Sequence, residues 1–252
     1  MDFWSAVELE EPGIVACVGA GGKTSVIQSL TRAARQRKQP VVVTSTTRMY
    51  VQQVDGLDTV IAGDYTSGRL AVHKILAGNQ AAAWFSAQER DKVIGLPPHW
   101  LDEFAQSCSA CRILVEADGA AACLIKAPAV HEPVVPLSTA VTVGVLNLQA
   151  IGSSLNSSIA HRLPLVTKLL GKTEGAAIAW QDLADLAGQP QGIFQYGQGR
   201  KVLVLSGGQP ALMQAGRSIA AYLKTTFSGF DRCIISSGYG ENMQPLEVHE
   251  LW

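Results

Sequence analysis

Charge is scarce in this chain of 252 residues: Asp, Glu, Lys and Arg make up 16%, and 20 basic residues balance 21 acidic ones to a formal net charge of −1. Nucleic acid or an anionic membrane would select a basic surface, so neither is expected as the main partner. Long apolar runs are missing. The best, from Leu137 to Ile151, is broken by Ser138, Thr139, Thr142, Asn147 and Gln149, short of the roughly 18 unbroken apolar residues that span a bilayer. Met1 to Glu11 carries acids and no Lys or Arg, unlike the basic flank of a secretory signal, so the expected compartment is the cytoplasm. Five cysteines, an odd number, do not make a disulfide framework and suit a reducing compartment. Cys108-Ser109-Ala110-Cys111 lacks the second pair that a structural zinc site needs, and ahead of an apolar run it reads as small apolar packing.

What is plentiful is apolar residues, 47%, and glycine, 24 residues, a composition that favours a sheet buried on both faces. Ile14 to Val18 is a short apolar run closed by Gly19 to Gly22, and Val26, Ile27, Leu30, Ala33 and Ala34 follow at helical spacing: strand, glycine turn, helix. The helix should end near Gln39-Pro40, with Arg35, Arg37 and Lys38 complementing its dipole. Strand-like runs follow at Val41–Thr44, Thr59–Ala62, Ala81–Phe85, Arg112–Glu116, Ala140–Leu146, Lys201–Leu205 and Cys233–Ser236. Helices are expected at Pro98–Gln106, Ala160–Leu170, Trp180–Ala187 and Pro210–Thr225, with a Gly- and Gln-rich linker or long surface loop at Gly188–Arg200. This alternation predicts a P-loop NTPase-like three-layer α/β fold with a largely parallel central sheet. We read a single domain, 1–252, and leave open a mainly helical insert at about 148–200.

Gly19-Ala20-Gly21-Gly22-Lys23-Thr24-Ser25 joins the first strand to the first helix, where backbone N–H groups and the positive helix end can surround a phosphate chain. Glycines allow the turn, Lys23 can reach the terminal phosphates, and the Thr24 hydroxyl can ligate Mg²⁺. A lysine at a helix start is not expected in the core. The spacing is Gly-x-x-Gly-Lys-Thr, resembling the short loops of Mur ligases and ParA/MinD-type ATPases. A Rossmann loop would need glycine where Thr24 stands.

The apolar stretch Arg112 to Gly119 ends in two carboxylates, Glu116 and Asp118, at the strand edge where α/β sheets place ligands. One would support Mg²⁺ with Thr24, and the other would orient water or a substrate hydroxyl; Asp118 before Gly119 also fits a plain turn. Thr44-Ser45-Thr46-Thr47-Arg48 suits either phosphate oxygens and hydrated metal or a Ser/Thr-rich turn with a surface arginine.

Taken together, Val18 to Thr24, Thr44 to Met49, Glu116-Ala117-Asp118-Gly119-Ala120, Lys126-Ala127-Pro128-Ala129-Val130-His131-Glu132-Pro133 and His161-Arg162 resemble the YqeC family. The resemblance runs from about Gly13 to Leu170. It implies a cytoplasmic P-loop protein that serves the maturation of selenium-dependent molybdenum hydroxylases, with a molybdenum hydroxylase or a selenium- or molybdenum-cofactor protein as partner. Lys126, His131 and Glu132 fall on the family pattern and offer a cation, a group titrating near neutrality and an acceptor for transfer chemistry; a rigid proline-stiffened connection is the alternative. Two features depart from the pattern. Ala120 to Leu124 carries no cation, and Leu205-Ser206-Gly207-Gly208-Gln209 lacks the Asp that reads a guanine edge, so ATP and GTP stay equally open.

The expected function is therefore Mg²⁺-dependent binding of a nucleoside triphosphate, ATP or GTP, with hydrolysis or phosphoryl transfer. Glu116, Asp118, Lys126, His131 and Glu132 are the candidate catalytic residues. The rivals are a non-catalytic nucleotide-gated carrier or chaperone, a Mur-like ATP-dependent ligase or kinase of a small acid, and a fold whose nucleotide site has lost its activity.

Overall fold

A computed structural model describes residues 1–78 and 80–252. Along the chain come α1 (Phe3–Val7), β1 (Gly13–Gly19), α2 (Lys23–Gln36), β2 (Val41–Ser45), β3 (Arg48–Tyr50), β4 (Asp58–Ile61), α3 (Tyr65–Gly78), β5 (Ala81–Phe85), β6 (Ala87–Glu89) and β7 (Lys92–Ile94). Then follow α4 (Pro98–Ser107), β8 (Arg112–Glu116), β9 (Ile125–Lys126), β10 (Thr139–Asn147), β11 (Ala160–His161), α5 (Leu163–Leu170), α6 (Trp180–Gly188), β12 (Arg200–Ser206), α7 (Met213–Thr226), β13 (Arg232–Ser237) and β14 (Gln244–Glu250).

The expected three-layer α/β architecture with a largely parallel central sheet holds. Nine strands form one sheet in the order β14-β13-β12-β10-β1-β8-β2-β5-β4, parallel except where β14 runs back along β13 at the edge. Because side chains alternate across a strand, β1 sends Ile14, Ala16 and Val18 into one core and Val15 and Cys17 into the other. The first core holds Val72 of α3, Leu101 and Phe104 of α4, Leu183 and Leu186 of α6, and Ile219 and Leu223 of α7. The second holds Phe3 and Val7 of α1 with Val26, Ile27 and Leu30 of α2. Helices thus cover both faces, which makes three layers.

Several local expectations are corrected. The helix expected from Ala160 begins three residues later, because Ala160 and His161 pair as a strand with Ile125 and Lys126 and Arg162 takes a left-handed conformation, φ 60°. The first turn of the helix expected at Pro210 is a tighter 3₁₀ turn, Pro210–Leu212. α3, with Gly68 and Val72 as its buried residues, carries too narrow an apolar seam to read from sequence. The antiparallel sheet β3-β7-β6 is likewise built from strands too short for a periodic signal. Between β10 and β12, the helices α5 and α6 alternate with loops whose Leu155, Ile178 and Ile193 enter the first core. Cys108 and Cys111 pack on the first core as expected and in addition form a disulfide in the turn before β8, while Cys17, Cys123 and Cys233 are free. Among the described residues no helix is long and apolar enough to cross a membrane.

Candidate functional site

The loop between β1 and α2 sits at the carboxyl edge of the sheet, and the glycines at its centre answer backbone demands. Gly21 and Gly22 have φ of 78° and 152°, a region that L side chains rarely adopt. A Cβ at Gly21 would lie 2.6 Å from both Asn147 Cβ and the Leu124 carbonyl oxygen. The loop's carbonyls are tied down. Asn147 Nδ2 donates to Gly21 O at 3.1 Å, Ser206 Oγ donates to the same oxygen, and Lys23 Nζ donates to Gly19 O at 2.8 Å. The amides that follow are different. The first helical bond runs from Val26 N to Gly22 O at 3.0 Å, so the N–H groups of Gly22, Lys23, Thr24 and Ser25 have no partner inside α2, and Gly22 supplies no side-chain cap.

Those residues line a cleft of about 870 Å³ together with Gly21, Glu116 and the loop Gly119 to Leu124. Register explains how Glu116 arrives there, since β8 lies beside β1 with Glu116 opposite Cys17 and beside β2 opposite Ser45. Its Oε2 accepts from Thr24 Oγ1 at 3.1 Å, and Gln53 Nε2 donates to the same hydroxyl. Burial raises the Glu116 carboxyl above its ordinary range, and Lys23 offsets that only in part.

Asp118 lies deeper, fully buried. Its Oδ2 accepts from Gly19 N at 3.0 Å and meets Lys126 Nζ at 2.9 Å, while Oδ1 faces Lys23 Nζ at 3.1 Å. Lys126, also fully buried, donates to Gly119 O at 2.6 Å and to Glu132 Oε2 at 3.1 Å, and Arg162 Nη2 reaches Glu132 Oε1 at 2.7 Å. A continuous ion chain thus runs from the glycine loop through Asp118, Lys126 and Glu132 to Arg162. Burial works against the Glu132 carboxylate, but Lys126 and Arg162 outweigh it and hold its pKa below the ordinary value. His161, beside Lys126 in the β9–β11 pair, is pushed down by burial and by the Lys126 and Arg162 charges, which keeps its imidazole neutral at pH 7.

The residues singled out from sequence therefore separate. Gly21, Gly22, Lys23, Thr24, Ser25 and Glu116 line the cleft. Gly19 and Ala20 lie beneath it, Ala20 N donating to Val145 O at 2.8 Å. Asp118, Lys126 and Glu132 meet one another below the loop, outside the cleft lining, and His131 is exposed and apart from both groups. Lys23 is buried, against expectation, at 4% exposure. Burial would lower its pKa, but Asp118 and Glu116 overcome that and hold the ammonium above its ordinary value. The hydroxyls at the end of β2 and just past it are spent internally: Thr44 donates to Trp84 O, Ser45 to Glu116 O at 2.8 Å and Thr46 to Val134 O at 2.7 Å.

A family model described as YqeC protein matches residues 15–164. The chain belongs to the YqeC family. A relative from Escherichia coli (strain K12), named "Uncharacterized protein YqeC", is 29% identical over 243 residues, which cover 96% of this chain and 86% of the relative. The YqeC match takes in the glycine loop, Glu116 and the whole ion chain. The far wall of the cleft, Ser206, Gly207, Gly238, Tyr239 and Met243, lies beyond it. Sequence reasoning gave no role to Gln53, Asn147 or Tyr239. Gln53 and Asn147 act through bonds formed across the fold, and nothing in their neighbourhoods along the chain signals that.

Proposed function

We propose that this YqeC-family protein binds a nucleoside triphosphate with Mg²⁺ in the cleft above β1 and hydrolyses it or transfers its terminal phosphoryl group. The observation that carries this reading is the uncapped start of α2. Four amides without helical partners, with a charged lysine among them, open onto a cleft at the carboxyl edge of a parallel sheet, an arrangement suited to a phosphate chain. The metal fits the donors present. Thr24 Oγ1 and Glu116 Oε2, hard oxygen donors 3.1 Å apart, are what Mg²⁺ takes when phosphates complete its shell. Among the described residues no group of three or more His, Cys, Asp or Glu could hold a metal by itself, so Mg²⁺ would come with the nucleotide. When bound, it would neutralise charge on the phosphates. Lys23 and the loop amides would hold the phosphates, and Gln53 fixes the rotamer of Thr24.

Of the acidic candidates, Glu116 is the one that lines the cleft, so water or acceptor orientation falls to it. Asp118 would act as a positioning residue through Gly19 and Lys23. A second reading, the nucleotide-gated carrier, is favoured by the ion chain, which couples the glycine loop to the segment 127–136 and to α5. Service to selenium-dependent molybdenum hydroxylases is supported by the family resemblance alone. The test is calorimetric titration of ATP and of GTP with and without Mg²⁺, followed by a phosphate-release assay. Mg²⁺-dependent binding is expected; no heat with either nucleotide overturns the reading, and binding without release excludes hydrolysis in favour of phosphoryl transfer or the carrier.

A further inference from the structure

The cleft has two unequal ends. Thr24, Glu116 and Gln53 meet on the side of β8 and β2, which places the metal and the terminal phosphate there under the proposed function, on which this inference rests. The nucleoside end must then lie across the glycine loop, toward the carboxyl ends of β10, β12 and β13. That wall is made by Asn147, Gln149, Ser206, Gly207, Gly238 and Tyr239. Asn147 is consumed by Gly21 O and Gln149 N, and Ser206 by Gly21 O.

Tyr239 is different. It is 85% exposed, between Gly238 and Gly240 with φ of 86° and 60°, at the cleft wall. The loop that carries it is held firmly on one face of α2. Ser25 Oγ accepts from Gly240 N at 3.0 Å, Ser29 Oγ donates to Met243 O at 2.8 Å, and Arg32 Nη1 donates to Asn242 Oδ1 at 3.0 Å. A large aromatic ring is therefore fixed at its base while its body stands open to solvent, ready to take a flat ring against it. The other tyrosine of the cleft, Tyr50, already has the Lys92 ammonium 4.7 Å from its ring centroid and sits at the metal end.

We propose that Tyr239 is the platform on which the base of the bound nucleotide stacks. Stacking accepts any base because each has a π face, and among the described residues no acidic side chain lines this wall to select guanine. ATP and GTP would both be held, and the anchoring of the phosphates at Lys23 would not depend on the ring.

The experiment titrates ATP, GTP and inorganic tripolyphosphate, each with Mg²⁺, into the wild type, Tyr239→Ala and Tyr239→Phe. The side chain is exposed, so the variants should keep the wild-type melting temperature. Tyr239→Ala should weaken both nucleotides by about 5- to 150-fold and leave tripolyphosphate unchanged, while Tyr239→Phe should stay near wild type. Unchanged nucleotide affinity in Tyr239→Ala, or an equal loss for tripolyphosphate, overturns the stacking role. Wild-type protein that binds tripolyphosphate as tightly as ATP overturns it too but keeps the phosphate site, whereas wild-type protein that binds none of the three overturns the nucleotide reading itself.

Discussion

Lys23 has a second task beyond the phosphate contact that the sequence suggested. Its ammonium faces the buried Asp118 and lies 3.8 Å from Glu116 Oε1, so it neutralises carboxylates as well as offering charge to the cleft. Lys23→Ala should therefore lose nucleotide affinity and also stability, by about 3–5 kcal/mol, because it leaves buried carboxylates short of a cation. Chemical denaturation checks the second effect, and calorimetry well below the variant's melting temperature checks the first. Glu116 behaves in the opposite sense. Burial favours its neutral form, so its ionised form costs stability at neutral pH. Glu116→Gln is expected to melt no lower than wild type while the Mg²⁺ dependence of nucleotide binding flattens. An unchanged Mg²⁺ titration would remove Glu116 from the metal site. The glycine turn and Glu116 at the end of β8 were legible at this scale. The burial of Lys23 was not, because it depends on Asp118 just past β8, which follows its loop partner Gly19 by 99 residues.

Among the elements, the strand–loop–helix unit β1–α2 and the acidic strand β8 could be read from local pattern, since each is a compact apolar run closed by its own signal. The β9–β11 pair could not. With two residues in each strand it has no periodicity, yet it sets Lys126 beside His161 and turns two distant segments into one ion chain. Glu132 reports on that chain. Its pKa is depressed in the folded protein, so its stabilisation is full above the unfolded value of roughly 4.3 and is lost as pH falls through the folded value. Glu132→Gln should be less stable than wild type at pH 7, with the gap closing below pH ~4 in urea titrations; a gap that is constant with pH would mean that Glu132 contributes no titrating charge. The glycine loop makes a second prediction. Gly21→Ala places a methyl group 2.6 Å from Asn147 Cβ at a positive φ whose backbone cost alone is about 1–2 kcal/mol. Its melting temperature and its nucleotide affinity should fall together.

For the molecule as a whole, binding must appear as stability. ATP with Mg²⁺ at a hundredfold excess over its dissociation constant should stabilise the wild type by about 2.7 kcal/mol, read as a thermal shift that Lys23→Ala does not show. The layered α/β architecture was determined by sequence alone, because period-2 and helical apolar patterns act over neighbours and the sheet follows from their alternation. So were the glycine loop and the carboxylate that closes β8. Tertiary structure decided which charged residues share a site. Register carried Glu116 to Thr24, the β9–β11 pair drew Lys126, Glu132 and Arg162 beneath the loop, and His131, one position from Glu132, was left outside. Adjacent residues on a loop part company in this way because which of them is buried depends on what packs across from each, and those partners lie far away along the chain.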